Sequence, residues 1–235
     1  FLNPDATIRP ESLTALTDQL GLDKSVGIVA PAVIDAKGSK TISHYPFLTF
    51  WTSTWNALGI QRVIPINKSN GNWNFSRTPP NRTIEVDRVI GAAMMAKRRA
   101  ITESGGFDEM YFLFSEEEDL CYRLAKAGWE IVYHPDAEVR HIGGDTMQSS
   151  LSISIAAANW SRYLFLKKFR GGTVAELSRW IWIFTLAARL LGALLIPIRY
   201  RKTGVIKGYV LSIKSLLSPG YFDRNLRPER TKFIN

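Results

Sequence analysis

Four consecutive carboxylates, Glu116, Glu117, Glu118 and Asp119, directly follow the run Tyr111-Phe112-Leu113-Phe114-Ser115. Ser115 reads as an N-cap, which would place all four acids in the first turn of a helix. The helix dipole favours their charged forms, while mutual repulsion raises some of their pKa values. Together these effects can hold one carboxylate as a general base near neutral pH. Helical spacing puts Glu116 and Asp119 on one face, lets Asp119 pair with Arg123 at i+4 and points Glu117 elsewhere. An acidic first turn is more often a plain helix cap. Here the preceding aromatic run should carry the cluster close to the core, and that favours chemistry.

Three further positions could join the carboxylates. His141 ends an extended Glu138-Val139-Arg140 and precedes Gly143-Gly144, the arrangement of a metal ligand at a strand end beside a loop that can move. Asp5 follows Asn3-Pro4 in what is otherwise ordinary turn chemistry. Asp108 sits in a Gly105-Gly106-Phe107-Asp108-Glu109 turn.

The elements that must position these groups follow from pattern. Pro10-Glu11 with Leu13, Leu16 and Leu20 predicts a helix closed by Gly21. Val26–Ile34 reads as a buried strand, with Asp35–Gly38 turning into a short extended piece. Residues 44–82, crowded with Trp, Asn, Ser, Gly and Pro, read as a long, partly ordered surface excursion, and for Trp51, Trp55 and Trp73 packing of that loop onto the domain is favoured over lining a binding site. A continuous central strand is predicted over Val86–Met95, a short helix over Arg98–Ser104, the acidic helix up to Gly128, and two short strands, Glu130–Tyr133 and Glu138–His141. Helices alternating with buried strands indicate an α/β fold.

Composition divides the chain. Residues 1–160 hold 15 basic and 18 acidic residues, whereas 161–235 hold 15 and 3, a net +12. The basic part is not polar like a nucleic-acid arm: Trp180, Ile181, Trp182, Ile183 and Phe184 lie among its charges, which suits anionic lipid headgroups. Thr173-Val174-Ala175-Glu176 fits a capping box opening an apolar stretch, Leu177–Ile196. That stretch is long enough to span a bilayer, but it carries Arg179 and Arg189, and a charge at the bilayer centre costs about 2.5–3.5 kcal/mol. An in-plane interfacial helix is favoured over a core-packed helix or a true span. The lone Cys121 excludes an internal disulfide and a cysteine zinc site. Phe1-Leu2-Asn3-Pro4-Asp5 reads as the end of a buried strand entering a turn, so an N-terminal truncation is expected.

Taken in order, Leu2-Asn3-Pro4-Asp5, Gly91-Ala92-Ala93-Met94-Met95 with Arg98-Arg99, Gly105-Gly106-Phe107-Asp108-Glu109, Glu116 to Arg123, Ala127-Gly128-Trp129 and His141-Ile142-Gly143-Gly144 resemble family 2 glycosyltransferases of the rhamnosyltransferase-like type over about residues 1–150. The resemblance implies a Rossmann-like GT-A fold, present in part, followed by a helical membrane-associating segment over 151–235. It implies inverting transfer of a sugar, rhamnose being one candidate, from a nucleoside-diphosphate sugar to a lipid-linked or polysaccharide acceptor in bacterial surface glycan assembly. The setting would be the cytoplasmic face of the cell membrane. Glu117 would be the base, with Glu116 and Asp119 as alternates. Asp5 and His141, with Asn3 in a slot where relatives carry Asp, would hold Mn²⁺ or Mg²⁺. Asp108 and Glu116 would contact the acceptor, and Gly143-Gly144 would begin a loop over the donor. The nucleotide-binding half would lie upstream of Phe1, leaving this portion inactive alone. Two other classes compete: a membrane-recruited scaffold without catalysis, and a metal-dependent hydrolase, which would normally gather more His and Asp ligands.

Overall fold

The structure is a computed structural model that describes residues 1–74, 76, 78–141, 150–194 and 203–227. The chain forms two compact units. The first takes in Phe1–Phe47, Gly59–Glu109 and, among the described residues, Glu116–His141. The second takes Leu48–Leu58, Met110–Ser115 and the C-terminal helices. A contiguous division at residue 150 therefore leaves two segments of the second unit with the first.

The first unit is built on a mixed sheet. Strands β1 (Ala6–Ile8), β2 (Val26–Ile34), β3 (Lys40–Thr41) and β10 (Glu130–His141) take the order β1-β10-β2-β3. β10 runs parallel to β2 and antiparallel to β1. Eight of the nine β2 residues are buried, as expected of a strand covered on both faces. Ile28, Ala30 and Ala32 pack with Leu120, Cys121 and Leu124. Val29 packs with Leu16 and Val132 on the other face. The period of two thus divides the strand between the acidic helix and α1 (Pro10–Leu22).

Several predicted elements change form. Glu130–Tyr133 and Glu138–His141 are one strand, with a register shift against β2 between His134 and Glu138. The extra residues form a bulge, so pairing resumes beyond it. Val86–Met95 is not continuous: it is divided into β8 (Arg88–Val89), which pairs with β4 (His44–Tyr45), an isolated bridge at Ala93, and β9 (Met95–Ala96), which pairs with β2. The apolar run concealed the break because the segment serves two sheets. α1 continues past Gly21 to Leu22.

The excursion over 44–82 is structured. It holds α2 (Phe50–Ala57) and a hairpin of β5 (Asn67–Ser69) and β6 (Asn72–Asn74). Thr49 and Thr52 form a capping box at α2, with Thr in the place of the usual Glu or Gln. β7 (Ile84–Glu85) pairs with β10. α3 (Arg98–Ser104) ends at Gly105, φ 78°, a left-handed turn for which glycine carries no Cβ penalty.

The second unit is helical: α2 with α5 (Leu151–Phe169), α6 (Gly172–Leu194), α7 (Thr203–Leu217) and α8 (Tyr221–Asn225). Ser53 Oγ lies 3.2 Å from Ser178 Oγ, and Arg189 donates to the Ala57 carbonyl at 2.6 Å. Arg189 thus spends its charge on an α2 carbonyl. Glu176 accepts a hydrogen bond from Tyr163 Oη at 2.8 Å and pairs with Arg179. α6 begins at Gly172, ahead of the predicted cap. Among the described residues no helix is long and apolar enough to cross a membrane.

Gly27 in β2 faces Trp129, and a Cβ there would lie 2.9 Å from Trp129 Cβ. Gly27→Ala should lower unfolding free energy by about 1–3 kcal/mol through overpacking, measured by urea denaturation.

Candidate functional site

α4 (Glu116–Lys126) carries all four acids in its first turn, but its entry is not the one predicted. Phe114 and Ser115 have φ values of 66° and 64°. Ser115 is therefore left-handed rather than the extended residue an N-cap requires. Two successive non-glycine residues in this conformation store strain of order 1–3 kcal/mol each, a feature that gathers at functional sites.

The four carboxylates separate into different environments. Asp119 is fully buried, and Arg123 binds it at 2.5 Å while donating to the carbonyls of Ser104 and Gly106. Asp119 thereby ties α4 to the end of α3. Glu118, 3% exposed, is 3.4 Å from Arg88, and Glu117 is 3.8 Å from the same guanidinium. Arg88 also lies over the Tyr45 ring and donates to the Pro46 carbonyl.

Glu116 and Glu117 instead share a cavity of about 400 Å³ with Phe1, Leu2, Asn3, Gly91, Met94 and Phe107. The expectation that Glu116 and Asp119 work from one face is corrected accordingly: Arg123 draws Asp119 away, and Glu116 and Glu117 open together. Burial first, and then the charge of Glu116, push the Glu117 carboxyl up to about 7. Burial also raises Glu116, one of whose oxygens is buried without a hydrogen-bond partner. A Cβ at Gly91 would sit 4.0 Å from that of Glu117, an ordinary contact, so the cavity wall has room for a small side chain there.

The metal candidates meet at the edge of the sheet. Asn3-Pro4-Asp5 is a turn closed by Ala6 N–H donating to Asn3 O at 3.0 Å, and Asn3 N–H donates to Ala92 O. β1 then pairs Ala6 with His141, so that His141 Nε2 lies 3.1 Å from Asp5 Oδ1. Residues 136 positions apart in the chain are brought together by a strand register. Among the described residues no cluster of three or more His, Cys, Asp or Glu could hold a metal. One carboxylate and one imidazole are donors of the kinds Mn²⁺ and Mg²⁺ accept, and alone they do not complete a shell for either ion. Asn3 lines the carboxylate cavity. Asp108 is half-buried and does not line the cavity, where Phe107 is found instead. Gly143 and Gly144 lie outside the described residues.

The family model described as "Glycosyltransferase like family 2" matches residues 3–159. The chain belongs to that family. This family 2 chain is 32% identical over 191 residues to an N-acetylglucosaminyl-diphospho-decaprenol L-rhamnosyltransferase of Mycobacterium tuberculosis, a match covering 80% of this chain and 60% of that protein. It is 31% identical over 143 residues to a pre-mycofactocin glycosyltransferase of the same organism, covering 60% of the chain and 26% of the relative. The chain thus spans about 60% of the length of the rhamnosyltransferase it matches. A crystal structure of GalNAc-T7 with UDP, GalNAc and Mn²⁺ aligns over 97% of the chain and 41% of that protein, at 13% identity and a TM-score of 0.48, too distant to bear on the site.

Sequence reasoning missed Arg88. Its signal was the Asp87-Arg88 pair inside the otherwise apolar Val86–Met95 run, where a charge has to be matched.

Glu117 has a folded pKa above its ordinary 4.5. The stability its neutral form contributes is therefore present below about 4.5 and lost as pH rises through about 7. Glu117→Gln should flatten that decline in melting temperature. Arg88→Met, which removes a cation beside it, should move the carboxyl titration above 7, read by side-chain ¹³C NMR.

Proposed function

We propose that the protein is an inverting glycosyltransferase that moves a sugar from a nucleoside-diphosphate donor to a glycan or lipid-linked acceptor, with Glu117 as general base. The observation that carries this reading is the Glu116–Glu117 pair on the wall of a sugar-sized cavity, with Glu117 pushed up to about 7. A carboxylate poised there is half-ionised near neutral pH and accepts a proton effectively from an attacking hydroxyl. Glu116, with its unpartnered oxygen, would receive a second hydroxyl of the acceptor and orient it.

Inversion follows if the acceptor oxygen attacks the anomeric carbon as the diphosphate leaves from the opposite side. The acceptor hydroxyl proton passes to a Glu117 oxygen, and the glycosidic bond forms as the sugar–phosphate bond breaks. Asp5 and His141 would hold a divalent cation. When bound, such an ion neutralises charge building up on a leaving diphosphate. Without a cation, the Nε2–H tautomer of His141 donates to Asp5 Oδ1.

The M. tuberculosis relative is named for rhamnosyl transfer to a decaprenol-linked acceptor. That name, with the basic C-terminal part of this chain, supports a rhamnosyl or similar hexosyl donor, a polyprenyl-linked acceptor, a role in cell-wall glycan assembly and work at the cytoplasmic face of the membrane.

Release of nucleoside diphosphate from a panel of sugar nucleotides, with Mn²⁺ and a lipid-linked acceptor in detergent, tests the assignment. Glu117→Gln should lower kcat at least about 100-fold with KM little changed. His141→Ala should raise the Mn²⁺ concentration needed for half-maximal rate. Wild-type turnover by Glu117→Gln would overturn the base assignment, and release independent of acceptor would favour hydrolysis.

A further inference from the structure

α6 has two unlike faces. Ala175, Ser178, Trp182, Ile183 and Leu186 are buried within the helical unit. On the other side Leu177, Trp180, Phe184, Ala188 and Leu191 recur at spacings of three and four, which is one stripe of an α-helix. Leu177, Trp180, Phe184 and Leu191 are 53%, 46%, 70% and 65% exposed. An outward face made only of apolar side chains over four turns is not what water selects, since solvent-facing helix surfaces carry charge.

The two arginines of the helix do not interrupt the stripe. Arg179 pairs with Glu176 and donates to Leu216 O, and Arg189 donates to Ala57 O. Both are turned inward and bonded, so the objection that charges within 177–196 raise to lipid contact does not apply to this face. Elsewhere in the unit the exposed surface is basic and apolar: α7 exposes Lys207, Lys214 and Leu217, and α2 exposes Trp51. Residues 161–235 hold 15 basic and 3 acidic residues.

We infer that the Leu177–Trp180–Phe184–Leu191 face of α6 docks on an anionic lipid surface, lying in the plane of the interface with its opposite face still packed in the protein. An apolar stripe in a strongly cationic unit matches the two components of such a surface, acyl chains and negative headgroups, whereas a neutral protein partner would leave the charge unused. The helix binds the surface without crossing it, which fits the failure of any described helix to qualify as a span. The inference specifies the membrane element of the proposed function but does not depend on sugar transfer.

Flotation of the full chain with liposomes tests it without turnover, so a negative result leaves the transferase reading untouched. The probes are vesicles of phosphatidylcholine alone and of equal parts phosphatidylcholine and phosphatidylglycerol. Wild type should float with the anionic vesicles, release with added salt, and show a blue-shifted tryptophan emission. Phe184→Ser with Leu191→Ser should reduce the bound fraction at least about tenfold. Both positions are exposed, and an unchanged melting temperature verifies folding. Lys207→Glu with Lys214→Glu should weaken binding to anionic vesicles only. No binding by wild type, or equal binding by the Phe184/Leu191 variant, overturns the inference. So does a wild-type dimer that the same substitutions convert to monomer in the absence of vesicle binding, because the stripe would then be a contact between two copies.

Discussion

The parallel pairing of β2 with β10 is the constraint on which the first unit depends. Parallel neighbours cannot be joined by a tight turn; here residues 35–129 form the connection, and they contain α4 and its acids. β2 is buried on both faces, and near its end β10 alternates buried Ala137 and Val139 with exposed Glu138 and Arg140, so a slip of one residue would turn the buried set over. Fixing β10 fixes His141 at its end. The short antiparallel β1 then delivers Asp5 to it. A mixed sheet thus aligns two groups that belong to opposite ends of the unit.

The same sheet imposes a cost at α4, and the remedy comes from α4 itself and from β8 in the second sheet. Burying Leu120 and Leu124 against β2 and β10 draws the adjoining carboxylates out of water, and a buried charge is costly unless paired. Arg123 answers for Asp119, and Arg88 lies between Glu117 and Glu118. Three acids receive a cation; Glu116 has an oxygen with no partner, and it stands at the cavity. The asymmetry distinguishes structural carboxylates from those available for chemistry. Glu117 is intermediate. Its contact with Arg88 is long enough that burial and Glu116 outweigh it, and the carboxyl rises rather than falls.

The helical unit solves a different problem. α7 approaches α5 at Gly208, where a Cβ would lie 2.8 Å from Ile155, and Asn159 reaches Ser212 across the same contact. The glycine lets the helices close, and Asn159 and Ser212 satisfy polar atoms at that contact. α6 is held by α2 through Ser53, Ala57 and Trp182, which leaves one apolar side of a long helix with no protein partner among the described residues.

Much of the site was legible in the chain. The run of acids, the Asn3-Pro4-Asp5 turn, His141 after an alternating strand and the glycines ending α3 and α4 are local signals, since capping, turn chemistry and periodicity depend on neighbours within a few residues. Those signals determined the helices over 10–22, 98–104 and 116–126, the buried β2 and the family. Other features required the fold. Thr49 with Thr52 initiates a helix in a segment whose tryptophans and glycines suggested a loop, and Val86–Met95 breaks because its parts pair with different strands. Which carboxylate is tied down and which is open could not be read from helical spacing, because Arg88 comes from β8, 28 residues upstream of Glu116. The sequence by itself determined which residue types are present and how each element repeats. Only the tertiary structure decided which of them meet and which face is left to solvent, because long-range pairing and desolvation are properties of the assembled sheet and not of any window of the chain.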